Sequence, residues 1–376
     1  MKKFLAIFLC VLLSICMLAS CGEDEYGKVP DNYPDPKEDD DNIIVNLYMI
    51  YDSESDKAAL DTVRDRFRER TTVKYGITVE LHFVSEEEYE SKVLDATKLE
   101  REGDKVNVNI LLVNSSEIMA ELLDTNRLVD LSTYVFENAD RSNKNLVKKY
   151  GSFNEISGKL IEAIRGEDGS FYAMPNNHII GEYEYLVINE EMAKQTLKYT
   201  GEELSKIVSF DIGSESYELY KNLCDEIDEY EGRTGAYVDY VTRVYGSYQL
   251  KAQLEAAGNV CNIISYPTVT ADEAYSTAFA IVDSGDVANE KAMEIIYKLS
   301  TDKELRDFLQ YGVKGTTYTV DEDGNIQMID DEGKKYRLNI EYTGNVFIAS
   351  FCNEIKWTKE IAQSGEMQNS EAIVAN

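Results

Sequence analysis

The sequence predicts an α/β fold divided into two domains, and three observations carry that prediction. Strand-like and helix-like segments alternate three times from Ile43 onward. A second run of such segments begins near Tyr134. Together they are longer than one hydrophobic core comfortably serves.

The elements can be justified in order. Residues 43–51 (IIVNLYMIY) are rich in β-branched and aromatic side chains and read as a strand. Ser53 and Ser55 are candidate N-caps for a helix that carries Leu60, Val63 and Phe67 at helical spacing. Residues 77–84 (ITVELHFV) alternate as a second strand, and a charged helix over 86–101 bears Tyr89, Val93 and Leu94. Residues 106–113 (VNVNILLV) form a third strand, with a helix over 116–123. Such alternation points to a parallel sheet.

Beyond Tyr134 the pattern predicts a helix over 154–164, a strand over 183–189, a helix over 190–199 and a Ser214-capped helix running to Glu229. Strands follow over 260–266 and 277–283, then an amphipathic helix over 287–299 with Ala292, Ile295, Ile296 and Leu299 on one face. Thr301-x-x-Glu304 reads as a capping box for the next helix. Asp321-Glu322-Asp323-Gly324-Asn325 reads as a hairpin turn, and a last helix starts at Asn353. Trp357, the single tryptophan, is expected in the core beside it.

The residues ahead of Ile43 read as export and spacing rather than fold. Lys2 and Lys3 precede an apolar run over 4–19, too short to span a bilayer as a helix, and Leu18-Ala19-Ser20-Cys21 follows. These four residues resemble a bacterial lipobox. The resemblance implies cleavage of residues 1–20, lipid on Cys21 and a chain anchored at the extracellular face of the cytoplasmic membrane. Residues 21–41 hold Pro30, Pro34 and Pro36 among acidic residues and read as an extended tether.

Composition narrows the chemistry. The net charge is −32, and loss of Lys2 and Lys3 makes it −34, a surface that repels nucleic acid. Cys224, Cys261 and Cys352 are widely spaced and form no disulfide framework, though one pair among them has the option of bridging. There is no C-x-x-C, and His82 and His178 are the only histidines, so no metal or cofactor is expected. Nucleotide and hydrolase motifs are absent, and 70 acidic residues give no means of choosing a catalytic carboxylate pair.

What stands out is polar and aromatic residues where parallel strands end, the place at which open α/β sheets bind ligands. Tyr51 and Asp52 follow the first strand; Asn114 and Ser115 follow the third. Ser53, Ser115 and Ser116 serve equally as helix caps. Asn176 and Asn177 offer amides towards hydroxyls, or simply turn the chain. Tyr237 and Tyr240, clustered with Tyr245 and Tyr248, suit stacking on sugar rings, or packing.

Three stretches together resemble the extracellular solute-binding lipoproteins of ABC importers, in the family (family 1) that carries sugars and oligosaccharides. The first is the leader with its acidic tether. The second is Asp168-Gly169-Ser170-Phe171-Tyr172-Ala173-Met174-Pro175 with Tyr185-Leu186-Val187-Ile188-Asn189-Glu190-Glu191-Met192. The third, the most specific, lies within 288–318: Ala292-Met293-Glu294-Ile295-Ile296, Ser300-Thr301-Asp302-Lys303-Glu304-Leu305, Tyr311-Gly312-Val313-Lys314-Gly315 and Tyr318. The resemblance implies a two-lobed periplasmic-binding-protein-like fold of type II, each lobe a mainly parallel sheet flanked by helices, with a hinge between. Lobe one would take 42–131 and 275–309, and lobe two 132–274 and 310–376. It implies a monomer without catalysis that holds a small solute, a carbohydrate first of all, and passes it to an ABC permease. Tyrosine would supply the stacking for which the family uses tryptophan. The alternatives are a secreted glycan-acting enzyme and a cell-surface adhesin or structural lipoprotein.

Overall fold

Parallel pairing of three strands organises the larger part of the molecule. The computed structural model describes residues 43–98, 106–139, 143–194, 199–235 and 241–375. The expectations for the leader, the tether and Cys21, and for Tyr237 and Tyr240, fall outside the described residues. Strands β1 (Ile43–Ile50), β2 (Thr78–Val84) and β3 (Val106–Val113) run parallel with β1 in the middle. They are joined by α1 (Lys57–Tyr75) and α2 (Glu86–Ala96), and α3 (Ser116–Asp124) follows β3. Strands β4 (Ala173–Pro175) and β9 (Ala278–Ile281) extend the sheet in the order β2-β1-β3-β9-β4, and the short β8 (Thr268–Val269) lies outside it. Because β9 is antiparallel to both neighbours, β4 points the same way as β3.

Burial follows the pattern of the side chains. Val45, Leu47 and Met49 of β1 are fully buried, and β3 is buried along its last six residues. Helix α1 lays Leu60, Val63, Phe67 and Thr71 against the sheet; burying a side chain such as Phe67 stabilises by about 1.5–3 kcal/mol. The polar residues inside these strands lock register. Asn46 donates to Asn109 Oδ1 at 2.9 Å and faces His82 Nε2 at 2.9 Å, while Asn109 donates to the Ala96 carbonyl at 2.7 Å. His82 stacks on Tyr48 at 4.5 Å. A slip of one residue would break all three bonds and bury unpaired amides.

A second sheet has its own cores. Strands β5 (Tyr183–Asn189), β6 (Val241–Gly246) and β7 (Asn259–Ser265) lie in the order β6-β5-β7. Tyr185 and Val187 pack in one cluster with Tyr248 and Leu254 of the helix over 248–256; Leu186 and Ile188 pack in the other with Leu223 of the helix over 215–234. This sheet is antiparallel throughout, which corrects the expectation of a mainly parallel sheet in the second lobe. Only the strand over 260–266 was read from the sequence; the structure adds β6 and the helix over 248–256 before it, and β5 inserts between the two strands and runs against both. Alternation along a chain does not say which strand lies between which.

Other boundaries shift for local reasons. The helix expected over 154–164 breaks at Ser157 into 153–156 and α4 (Gly158–Ile164). Thr301 ends the amphipathic helix over 286–301, and Asp302 caps the next helix, Lys303–Tyr311, accepting from the Glu304 and Leu305 amides. The last helix begins at Lys359 behind Thr358. Trp357 is buried and packs with Phe347 and Ala362, as expected. Tyr134, Tyr150, Phe153, Leu160 and Phe171 share the core of β1 and β3, although the sequence reading grouped 132–174 with the second lobe. No described helix is long and apolar enough to cross a membrane.

Gly312 closes the helix over 303–311 with φ +80° and ψ −130°, backbone that favours glycine. A Cβ there would lie 2.5 Å from Thr317 Oγ1 and 2.8 Å from a Val63 methyl. We expect Gly312→Ala to destabilise the protein by about 1–3 kcal/mol or more, read as a lowered urea midpoint with an unchanged slope. An unchanged midpoint would show that the turn tolerates a side chain.

Candidate functional site

The carboxyl ends of β1, β3 and β4 lie along one edge of the central sheet, with the start of the reversed β9 between the last two. At about 4.8 Å per strand this edge is roughly 14 Å wide from β1 to β4. The chain leaves β1 towards β2 on one side and returns to β3 on the other, so β1 and β3 flank the point where strand order reverses. In open α/β sheets ligands bind outside the carboxyl ends of the strands at such a reversal. Tyr51 stands at the end of β1, half-buried against the core, and Asn114 at the end of β3. Asn114 Oδ1 is buried without a hydrogen-bond partner in the protein. A buried amide oxygen left in that state costs about 1–3 kcal/mol unless something donates to it.

Tyr342, which the sequence reading missed, completes the edge. Burial, followed by the charge of Glu86, pushes its pKa above the ordinary tyrosine range, against the opposing influence of the nearby Asn114 amide. The segment over 336–345 that carries it turns through a 3-10 helix at Ile340–Thr343, and no hydrophobic period marks it out. It is held by side chains from elsewhere. Arg306 and Gln310 donate to the Ile340 and Leu338 carbonyls at 2.9 Å each, Tyr336 donates to the Leu309 carbonyl, and Thr343 donates to Gln310. The signal that was present is the helix over 303–311, which the sequence singled out for another reason.

The remaining candidates fall into place one by one. Asp52 is exposed; its carboxylate accepts from the Glu54 amide, while its own amide bonds to the Arg337 carbonyl. Ser53 is exposed, and Ser55 pins Arg337 through two bonds instead of capping α1, whose N-cap is Asp56. Ser115 does cap α3, accepting from the Ile118 amide, and the Ser116 hydroxyl donates to Asp272. Asn176 is fully buried and donates to the Glu341 carbonyl at 2.9 Å, so it positions the segment bearing Tyr342. Asn177 turns away to Asn345 at 3.3 Å. The structure therefore brings Tyr51, Asn114 and Asn176 to one edge and sets Asn177 beside a separate pocket.

Behind Asn176 the buried His178 pairs with the half-buried Glu273 and stiffens the loop that leads to β5. His178 Nδ1 donates to the Asn176 carbonyl at 2.9 Å and Nε2 faces Glu273 Oε1 at 3.3 Å; that oxygen also accepts from the Gly181 amide. Burial alone would lower the imidazole pKa, but the bond to Glu273, the charge of Glu341 and the Asn176 carbonyl together raise it. The same bond holds Glu273 below the usual carboxylate range. The His178 contribution is complete below about pH 6.5 and fades as pH rises through the raised value; the Glu273 contribution is present above about 4.5 and fades as pH falls. We expect the pair to stabilise most between those limits. The His178→Gln variant should show a smaller loss of denaturation midpoint between pH 6 and 8 than the wild type. Parallel curves for the two would remove the pair from the stability of this loop.

No family model matches the chain, and no curated protein matches it. Among solved structures it is similar to the N-glycan transport solute binding protein NgtS from Streptococcus pneumoniae, with a TM-score of 0.51 and 15% identity over 88% of this chain and 83% of that one. The same protein in complex with Man1GlcNAc gives a TM-score of 0.50 and 15% identity over 88% and 84%. In complex with Man5GlcNAc it gives 0.50 and 14% over 88% and 83%. Identity at this level establishes fold alone: the chain has the mixed α/β, two-lobed fold of solute-binding proteins, with a mainly parallel central sheet.

Proposed function

We propose that this protein is an extracellular solute-binding protein, anchored through lipid on Cys21, that captures a small solute in a cleft between two lobes and delivers it to an ABC permease. The solute we assign is a carbohydrate. The observation that carries this reading is the unmet acceptor of Asn114 at the strand-order reversal, with Tyr51 at the end of the neighbouring β1 and Tyr342 close enough to Asn114 to feel its amide. An amide oxygen beside aromatic faces suits a sugar, which offers hydroxyl donors around its rim and C–H groups on its faces. The likeness to a glycan-transport protein supports the same assignment. The protein acts as a monomer, needs no cofactor and performs no covalent chemistry on its ligand.

In this reading one lobe is built on the central sheet and the other on β5, β6 and β7, which their separate cores support. Chain crossings near 176–181 and 266–270 serve as hinge. A Cβ built on Gly181, which has φ +52°, would lie within 3.5 Å of Pro267 and Thr268, so the two crossings run side by side. Tyr237 and Tyr240 would face the ligand from the second lobe, Asp52 and Ser115 would border it, and Asn176 would act by holding Tyr342 in place. Ligand favours closure only as far as it touches both lobes.

A saccharide panel scored by melting temperature tests this, including mannose- and N-acetylglucosamine-containing oligosaccharides. One class should raise the melting temperature by several degrees. Asn114→Ala and Tyr342→Ala should each weaken that ligand about tenfold, as loss of one buried hydrogen bond implies, with little effect on the unliganded protein. A flat panel, or full affinity in both variants, would end the proposal.

A further inference from the structure

A cavity away from the strand edge has about 560 Å³ of space, walled by residues 154–160, the loop after Asn176, residues 345–348 and the last helix, with Ile156, Leu160, Ile180, Phe347 and Ile348 among its apolar lining. None of Tyr51, Asn114 or Tyr342 lines it. Several of its polar groups serve the fold. Asn369 is bonded to His178 and Ile180, and Asn345 to Asn177, Ser300 and Phe347. Lys159, the single cation in the wall, donates to the carbonyls of Asn369, Ser370 and Ala372 at 2.7–2.8 Å.

The polar groups left over share one chemical character. Glu155 and Glu366 are exposed to the cavity mouth and have no ion-pair partner among the described residues. The Ser157 hydroxyl, on a residue 3% exposed, has no hydrogen-bond partner. The Asn154 amide is likewise uncommitted, and Phe347 presents a half-buried ring in the wall. An anion entering would meet two carboxylates and a cation already engaged. A donor-rich ligand would satisfy the hydroxyl and amide, and an ammonium group would also neutralise the carboxylates.

We infer that this cavity is a second ligand site, separate from the strand edge, which binds a small hydroxylated amine of amino-sugar type. The inference does not depend on what the strand edge binds. Its walls include Asn177 and Ile180, within the loop from β4 to β5, so an occupant would touch the segment that joins the two sheets.

Calorimetric titration of the full chain with glucosamine, glucose and glucuronate tests it. Glucosamine should bind saturably at pH 6.5, at least tenfold more tightly than glucose, and glucuronate should not bind. The double variant Glu155→Gln/Glu366→Gln, whose side chains are exposed and free of structural bonds, should lose at least tenfold in glucosamine affinity at unchanged melting temperature. Asn114→Ala should leave glucosamine binding intact. Absence of saturable binding, equal affinity in the double variant, or loss on Asn114→Ala would each overturn the inference, the last by moving the amine to the strand edge.

Discussion

The constraint on which this architecture turns is that the segment over 336–345, partly buried and carrying a 3-10 helix at Ile340–Thr343, must have its buried main-chain groups satisfied. A buried carbonyl without a donor costs about as much as a lost hydrogen bond, so such a segment persists only where side chains come to meet it. Arg306, Gln310 and Asn176 do so for three carbonyls, and Ser55 ties Arg337 to the loop after β1. The donors come from a helix, a strand end and a loop far apart in the chain. Their convergence holds the segment that carries Tyr342 near the end of β3.

That arrangement explains why the helix over 303–311 is buried so completely. Arg306 is 0% exposed, with Nε and Nη1 unpartnered by hydrogen bonds, its nearest carboxylate oxygen being Asp307 Oδ1 at 3.7 Å. Burial lowers its pKa from the ordinary arginine value, against the opposing influence of Tyr311 and Asp307. Desolvating a guanidinium is costly, and here it accompanies the bond that holds Ile340. Gly312 at the end of the same helix is needed for the turn that brings Thr317 back against it.

Position, rather than residue type alone, separates ligand-facing groups from structural ones along the strand edge. Asn46, Asn109, Asn114 and Asn176 all sit in or beside strands. The first two bond across β1 and β3 and fix register, the fourth bonds to Glu341, and Asn114 alone keeps a buried oxygen unmatched. Ser115 shows the same division, since its hydroxyl is committed to the α3 cap.

By itself the sequence determined the order and type of the elements around the central sheet. The β-branched runs at 43–50, 78–84 and 106–113 and the apolar stripe of α1 are periodic, and periodic burial is local information. It also placed Tyr51 and Asn114 at strand ends, because those ends are visible along the chain. Tertiary structure alone decided that β5 lies between β6 and β7, that residues 134–174 join the first core, and that Asn176 faces inward while Asn177 faces a pocket. It also decided that Tyr342 belongs at the site. Each of these depends on contacts between residues distant in sequence, whose energy comes from excluding water and pairing buried polar groups across the whole fold, and no local pattern records that.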